Sequence, residues 1–277
     1  QSGALINANL SNLSATNTLA NQGLLNATSQ LIATANTVSN TGSIIGGGVS
    51  LTATQLVENV GTTAFIGASN TTGLLELLAP TIQNRDDTTS TDTMAQTMIY
   101  GRGQVILAGA KDALGQYTNA AQVLNQSGLV QSEGNMSVYA NTLTNTRCIL
   151  QMSNTFNSAG GTVSGTGYWT PGSTVPGGAY INMNIGGGIN SSYLYTSYTG
   201  TTLQNSVASI SPAALIVSGG NFNTYVTTLQ NYWSKVSATG NISLTGVTLD
   251  QNSWRGATPF LQRTTYTGDW WYRNYTG

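Results

Sequence analysis

The chain has 277 residues, 39% hydrophobic and only 6% charged, with Lys and Arg totalling 8, Asp and Glu totalling 9, and a formal net charge of −1. That length can bury a large core as one domain or one elongated rod, and the near-neutral balance leaves no basic footprint for nucleic acid or anionic lipid. The absence of His and the single Cys exclude a Ser-His-Asp triad, a His-containing zinc site and an internal disulfide.

At the N-terminus no charged stretch followed by an apolar one marks a signal peptide, and no run of about 18 apolar residues predicts a transmembrane helix. A repeat is already under way near Gln1, so an excised segment of a longer protein is expected. Residues 1–61 repeat every 19 positions. Leu13, Ile32 and Leu51 share a column, as do Ala15, Thr34 and Ala53; Asn17, Asn36 and Gln55; Leu19, Val38 and Val57; Asn21, Asn40 and Asn59; and Gly23, Gly42 and Gly61. A fixed period near twenty is the signature of a solenoid. Each line is rich in Thr, Val, Leu and Ser and ends in Asn-x-Gly, which suits brief strands joined by tight turns. No line can bury its apolar side chains alone. Stacked lines can, at a strand spacing of ~4.8 Å, with equivalent Asn residues forming an amide ladder. Apolar residues from Ile6 to Val38 also fall at helical intervals, but the intervening Asn, Thr, Ser and Gly23 oppose a helix. The predicted fold is therefore all-β, a parallel β-helix of 19–20-residue coils interrupted by irregular loop insertions.

The period is lost over 62–103, which reads as a loop excursion, with a short helix possible at Thr72–Ala79 before Pro80. Repeats return over 104–153 and 212–252. Gly134, Gly220 and Gly240 align, as do Asn135, Asn221 and Asn241; Met136, Phe222 and Ile242; Leu143, Leu229 and Leu249; and Asn145, Asn231 and Gln251. The three leucines are expected to point inward. Between these blocks, 154–211 shifts to Gly, Tyr, Pro and Ser and carries no charged residue. It reads as irregular loops or an inserted hairpin region, with a strand near Ser191–Thr199. Residues 253–277 form a second aromatic cluster.

Motifs for chemistry are sparse. The Gly186–Gly188 run lacks the strand and helix of a phosphate cradle. Asp86, Asp87 and Asp92 could offer oxygens to calcium, but the rest of an EF-hand pattern is missing, and a solvated loop is the better reading. The scattered Glu residues suggest no acid/base pair. Cys148 reads as a small buried residue rather than a reactive thiol. Neither metal, cofactor nor enzymatic activity is expected. Asn-x-Ser/Thr triplets occur about as often as this composition gives by chance.

The run from Tyr100 to Arg147, IYGRGQVILAGAKDALGQYTNAAQVLNQSGLVQSEGNMSVYANTLTNTR with its preceding Ile99, resembles the haemagglutinin-repeat region of filamentous-haemagglutinin-like exoproteins. More narrowly it is similar to contact-dependent growth inhibition effectors of the CdiA type. The columns at 13–61 and 216–251 carry the same repeat style, so the resemblance extends over about two thirds of the chain; 154–211 lies outside it. The resemblance implies a very long protein exported by two-partner secretion through a partner outer-membrane transporter and displayed at the bacterial cell surface as a β-helical stalk. It also implies recognition of an outer-membrane protein on neighbouring bacteria and delivery of a C-terminal toxin domain.

Recognition needs irregular protrusions on a rigid support, and Tyr and Trp give large contact area at low entropic cost. The candidate receptor-binding residues are accordingly Tyr168, Trp169, Tyr180, Tyr193, Tyr195 and Tyr198, facing an outer-membrane β-barrel. A secondary group, Trp254, Trp270, Trp271 and Tyr272, either covers the rod or binds. The alternatives are an adhesin segment that binds glycans or host surfaces and a polysaccharide-degrading β-helix; the latter needs clustered carboxylates that the sequence does not supply.

Overall fold

The computed structural model describes residues 5–157, 162–169, 191–244, 246–253, 260–270 and 273–276. The chain forms two compact units, Gln1–Leu150 with Ser209–Trp254, and Gln151–Ala208 with Arg255–Gly277. Among the described residues no helix is long and apolar enough to cross a membrane.

The first unit is a parallel β-helix. Its 17-stranded sheet winds through three walls, each strand pairing in parallel with its counterpart one coil away. On the first wall Leu24 pairs with Ser43, Ser43 with Phe65 and Phe65 with Met98. On the second, Leu31, Val49, Leu75 and Val105 follow one another in register. On the third the order is Val38, Val57, Ile82, Val123, Leu143, Leu229 and Leu249. Alternate residues face inward, so one continuous core runs along the rod, and Leu31, Ile44, Leu51, Leu75 and Leu143 are wholly buried. Burial of each such side chain contributes roughly 1.5–3 kcal/mol.

The third wall ends in the amide ladder. Asn21, Asn40, Asn59, Asn84, Asn125 and Asn145 each donate from Nδ2 to the Oδ1 of the Asn in the next coil, at 2.7–2.9 Å, finishing at Asn231. Each amide also closes a corner by donating to a backbone carbonyl, as Asn40 does to Gly42 and Phe65. A buried corner would otherwise leave those carbonyls without partners.

Several sequence expectations need correction. On the second wall Leu13 pairs with Ala33 and Ile32 with Ser50, so Leu13, Ile32 and Leu51 do not share a column, nor do Ala15, Thr34 and Ala53. The coil length stays the same, but successive coils exchange one residue between two corners, and a one-residue slip turns Ile32 to the outer face. Gly61 does not stack on Gly42; its φ of 116° opens a longer turn. Residues 62–103 are not a loop excursion. They supply the strands Phe65–Ala68, Leu74–Leu78, Thr81–Arg85 and Met98–Gly101, and Leu74–Leu78 replaces the helix considered at Thr72–Ala79. Leu75, Leu77 and Ile82 fill the same core, so packing against the adjoining coils overrides local helix preference. Only 86–97 leaves the coil. Leu249 is 51% exposed although it continues the Leu143 and Leu229 column, and Cys148 is half-buried.

The 86-residue interval from Asn145 to Asn231 spans adjacent coils, because Met136–Thr146 pairs directly with Phe222–Tyr232. The intervening chain builds most of the second unit, whose 5-stranded sheet comprises Leu150–Asn157, Thr162–Trp169, Ser191–Ile210, Phe260–Trp270 and Arg273–Thr276, with Ser191–Ile210 antiparallel to Thr162–Trp169 and to Phe260–Trp270. The described part of 154–211 is thus sheet, which agrees with the hairpin and the strand near Ser191–Thr199 and not with irregular loops, and Phe260–Trp270 and Arg273–Thr276 join it from far along the chain. The run of Thr, Ser and Tyr over 191–210 has high β-propensity.

Candidate functional site

In the second unit the long strand Ser191–Ile210 carries three of the candidate tyrosines. Tyr193 lies opposite Gly167, Tyr195 opposite Gly165 and Tyr198 opposite Thr162. Tyr168 and Trp169 occupy the end of the partner strand, opposite Ser192 and Ser191. On the other side Tyr195 pairs with Tyr266 and Tyr198 with Arg263, while Trp270 pairs with Arg273. The backbone therefore gathers Tyr168, Trp169, Tyr193, Tyr195 and Tyr198 in one strand pair and sets Trp270 in the same sheet. Tyr180, Trp254, Trp271 and Tyr272 lie outside the described residues. The sequence assigned to this unit is not devoid of charge, because its C-terminal part includes Arg255, Arg263, Asp269 and Arg273.

The β-helix holds the exit and return of this insertion together at one corner, between the third and first walls. Ser211 donates its backbone N–H to Ile149 O at 2.9 Å and accepts from Ile149 N at Oγ, 2.8 Å. Ser127, one coil away, meets Ser211 Oγ to Oγ at 2.8 Å and accepts from Cys148 N at 2.9 Å. Both serines are wholly buried. Arg147 closes the joint: Nε donates to Trp233 O at 2.9 Å, and Nη1 donates to Asp92 Oδ1 at 2.6 Å and to Ser211 O.

The excursion 86–97 leaves from the same corner. Solenoid insertions that share a face commonly build the binding side. The corner also demands left-handed backbone, with Ser127 at φ 50° and Trp233 at φ 51°. For a bulky residue such as Trp233, 37% exposed, this is a strained conformation. Thr62, Asp86, Thr89, Thr93, Met94, Gln96 and Pro212 enclose a cavity of about 180 Å³ here. The three aspartates of the excursion do not converge on a metal. Asp87 pairs with Arg85, Asp92 with Arg147, and Asp86 accepts from Thr88 and Thr89. Burial pushes the Asp86 carboxyl up, but the hydrogen bonds from Thr89 and Thr88 outweigh it and hold the group below the usual carboxylate value.

A second polar cluster lies on the outside of the second wall, where the antiparallel hairpin Ala110–Lys111 with Tyr117–Thr118 folds back over the rod. It covers Leu78, Ile106 and Ala108. Glu76, 5% exposed beneath it, receives Tyr117 Oη at 2.6 Å, Lys111 Nζ at 2.6 Å and Ser50 Oγ at 3.2 Å. Burial, then the bond to Glu76, pushes the Tyr117 hydroxyl well above its ordinary pKa. Tyr117, Tyr139 and Tyr225 make an aromatic column along the wall, with centroids 5.2 and 4.4 Å apart, and Tyr225 is 52% exposed. Sequence reasoning missed this column. Its signal was present in that Tyr139 and Tyr225 each stand four residues after the aligned Asn135 and Asn221; Tyr117, on an excursion, gave none.

No protein-family model matches the chain, and no solved structure matches it. Two curated proteins do. "Toxin CdiA" of Yersinia pestis is 48% identical over 215 residues, 77% of this chain and 6% of that protein. "tRNA nuclease CdiA-2" of Burkholderia pseudomallei (strain 1026b) is 38% identical over 253 residues, 76% of this chain and 8% of that protein. The chain therefore spans less than a tenth of the length of either relative.

Proposed function

The chain belongs with the CdiA-type contact-dependent inhibition proteins over the matched segment, and we propose that it is the part of such a toxin-delivery protein that meets the target cell. In this reading the parent protein reaches the bacterial surface through a partner outer-membrane transporter, the β-helix is a length of its stalk, and the inserted sheet recognises an outer-membrane β-barrel on a neighbouring bacterium. The observation that carries it is the interruption itself. The chain leaves the rod after Leu150 and returns by Ser211 while the coils on either side remain paired, so a separate aromatic-rich sheet is carried without breaking the support. A rigid support with an anchored insertion suits recognition, because the ordering cost is met by the fold before binding. Tyr168, Trp169, Tyr193, Tyr195 and Tyr198 are the proposed anchors, with Arg263 opposite Tyr198 in the sheet. We assign this segment binding, and not the nuclease chemistry in one relative's name, of which protein it matches 8%.

The test is binding of the purified chain to susceptible bacteria. Replacing 160–200 with a short Gly/Ser linker should abolish binding while the β-helix keeps its cooperative melting. The milder pair Tyr193→Ser with Tyr195→Ser should weaken binding by about tenfold or more, the scale of a lost interface hot spot. Unchanged binding by both folded variants places recognition elsewhere.

A further inference from the structure

We propose that the corner cavity beside the 86–97 excursion is a socket for a basic side chain, lysine or arginine, presented by a partner polypeptide. The inference stands on the β-helix alone and does not depend on recognition by the inserted sheet.

The first observation is Asp86. It lines the cavity and is 2% exposed, yet no lysine or arginine among the described residues forms an ion pair with it. The nearby arginines are committed elsewhere, Arg85 to Glu58 and Asp87 and Arg147 to Asp92. The hydrogen bonds around Asp86 are unequal. Oδ1 accepts from Thr88 N at 2.9 Å, Thr88 Oγ1 at 2.9 Å and Thr89 N at 3.1 Å, whereas Oδ2 accepts only from Thr89 Oγ1. Asp86 therefore accepts four hydrogen bonds, all from its own excursion, yet no cation among the described residues offsets its charge. The hydrogen bonds that favour ionisation keep a negative charge in a partly desolvated place, where an added cation gains most.

The second observation is the lining. Met94 and Pro212 give an apolar side, while Thr62, Thr93 and Gln96 add neutral oxygens near Asp86. An aliphatic stem against thioether and ring, with a charged head among oxygens, is how lysine and arginine are held when half-buried. An anion would face Asp86, and a purely apolar side chain would strip water from the threonine and glutamine oxygens without replacing it. A free hydrated cation has no use for the apolar side. The rim favours a polypeptide as well. Met94 is 77% exposed, and the paired carboxylates there are more exposed than their arginines, 53% for Asp92 against 12% for Arg147 and 40% for Asp87 against 27% for Arg85. The excursion that walls the socket therefore offers an accessible methionine, and its paired carboxylates face solvent more than the arginines that hold them.

The experiment is an NMR titration of the 277-residue chain, reading the Met94 methyl and the Thr89 and Thr93 amides, with the blocked tripeptide Gly-Lys-Gly and its norleucine counterpart. The lysine peptide should give saturable shifts at those positions with a dissociation constant of about a millimolar, as expected for one side chain. The norleucine peptide should bind at least about tenfold more weakly. Thr93→Lys supplies an occupant from within. It should remove the response to the lysine peptide and raise the melting temperature. Asp86→Asn should weaken the lysine peptide by a similar factor while the Met136 methyl, in the core, keeps its position. Equal binding of both peptides, or a Thr93→Lys variant that melts lower and still binds the lysine peptide, overturns the proposal.

Discussion

Arg147 Nη1 donates to Asp92 Oδ1 at 2.6 Å, and so ties the start of the long insertion to the excursion that leaves the same corner two coils earlier. The guanidinium is 12% exposed and also holds the carbonyls of Trp233 and Ser211, so it acts as a three-way fastener rather than as a surface ion pair. Arg147→Ala leaves those carbonyls without their donor and should cost about 1–3 kcal/mol in a denaturant titration. Asp92→Asn removes only the exposed side of the contact and should cost less than about 1 kcal/mol. Equal losses in the two variants would show that the corner depends on the salt bridge and not on the carbonyl contacts.

The amide ladder makes a second prediction. Asn59 is wholly buried and donates to Asn84 Oδ1, Ala64 O and Met98 O, so a single amide serves two coils and a corner. Asn59→Ala strands two backbone carbonyls and breaks the run on both sides, a loss of about 1–3 kcal/mol or more. Asn59→Asp is expected to be worse at neutral pH, since the site would bury a charge with no cation near. Thermal melts of the two variants, with Asn26→Ala on the exposed Asn7–Asn26 pair as control, check the order.

How much of this was legible in the sequence divides by wall. On the third wall the intervals survive in the residues, so Asn21, Asn40 and Asn59, and Leu143 with Leu229, could be aligned by eye. The second wall hid its register. Thr28 and Ser29 make a corner where the next coil has only Gly47, and Asn36 makes one where the next has Thr54 and Gln55. The two shifts cancel within one coil, so a constant period concealed them. Residues 62–103 hid because longer turns, after Asn59 and after Ala68, stretch the interval before the 86–97 excursion stretches it further, although the strands themselves pair as usual. At the candidate sites, Tyr195 and Tyr266 meet only because chain ends far apart share a sheet, and Glu76 meets Lys111 and Tyr117 only because a hairpin folds outward over the wall. Neither contact has a local sequence pattern.

The hairpin clasp carries a pH dependence. The Tyr117 hydroxyl is raised in the folded chain by burial and by its bond to Glu76, and Tyr139 is raised as well. A raised folded pKa means that the unfolded chain releases these protons first. The stabilisation is complete below the unfolded value of about 10 and is lost as pH rises beyond it. Denaturant titrations from pH 8 to 11 should therefore show stability falling above about pH 10. Tyr117→Phe should be less stable at pH 8, having lost the bond to Glu76, and should fall less steeply above pH 10. A parallel fall in both proteins would assign the alkaline loss to other groups.

The leucine column gives a comparison within one chemistry. Leu143 and Leu229 pair in register and are 0% and 3% exposed, while Leu249 follows them in the last described coil at 51%. Leu229, Val236, Ile242, Leu244 and Leu249 border the same open space at that end of the core. Truncation costs the transfer of the removed methyl groups plus whatever cavity the surroundings fail to close. Leu143 sits between Val123 and Leu229 with a coil on each side, so Leu143→Ala should cost roughly 2–5 kcal/mol. At Leu249 much of the side chain already meets solvent and no enclosed hole forms, so Leu249→Ala should cost under about 1 kcal/mol. Leu229→Ala should fall nearer Leu143→Ala, because Leu229 is itself buried although Leu249 covers it only in part. Matched denaturant titrations of the three variants rank the sites directly. A Leu249 loss as large as that of Leu143 would mean that this end of the core is closed in solution and that the column continues beyond the coil ending at Asn252.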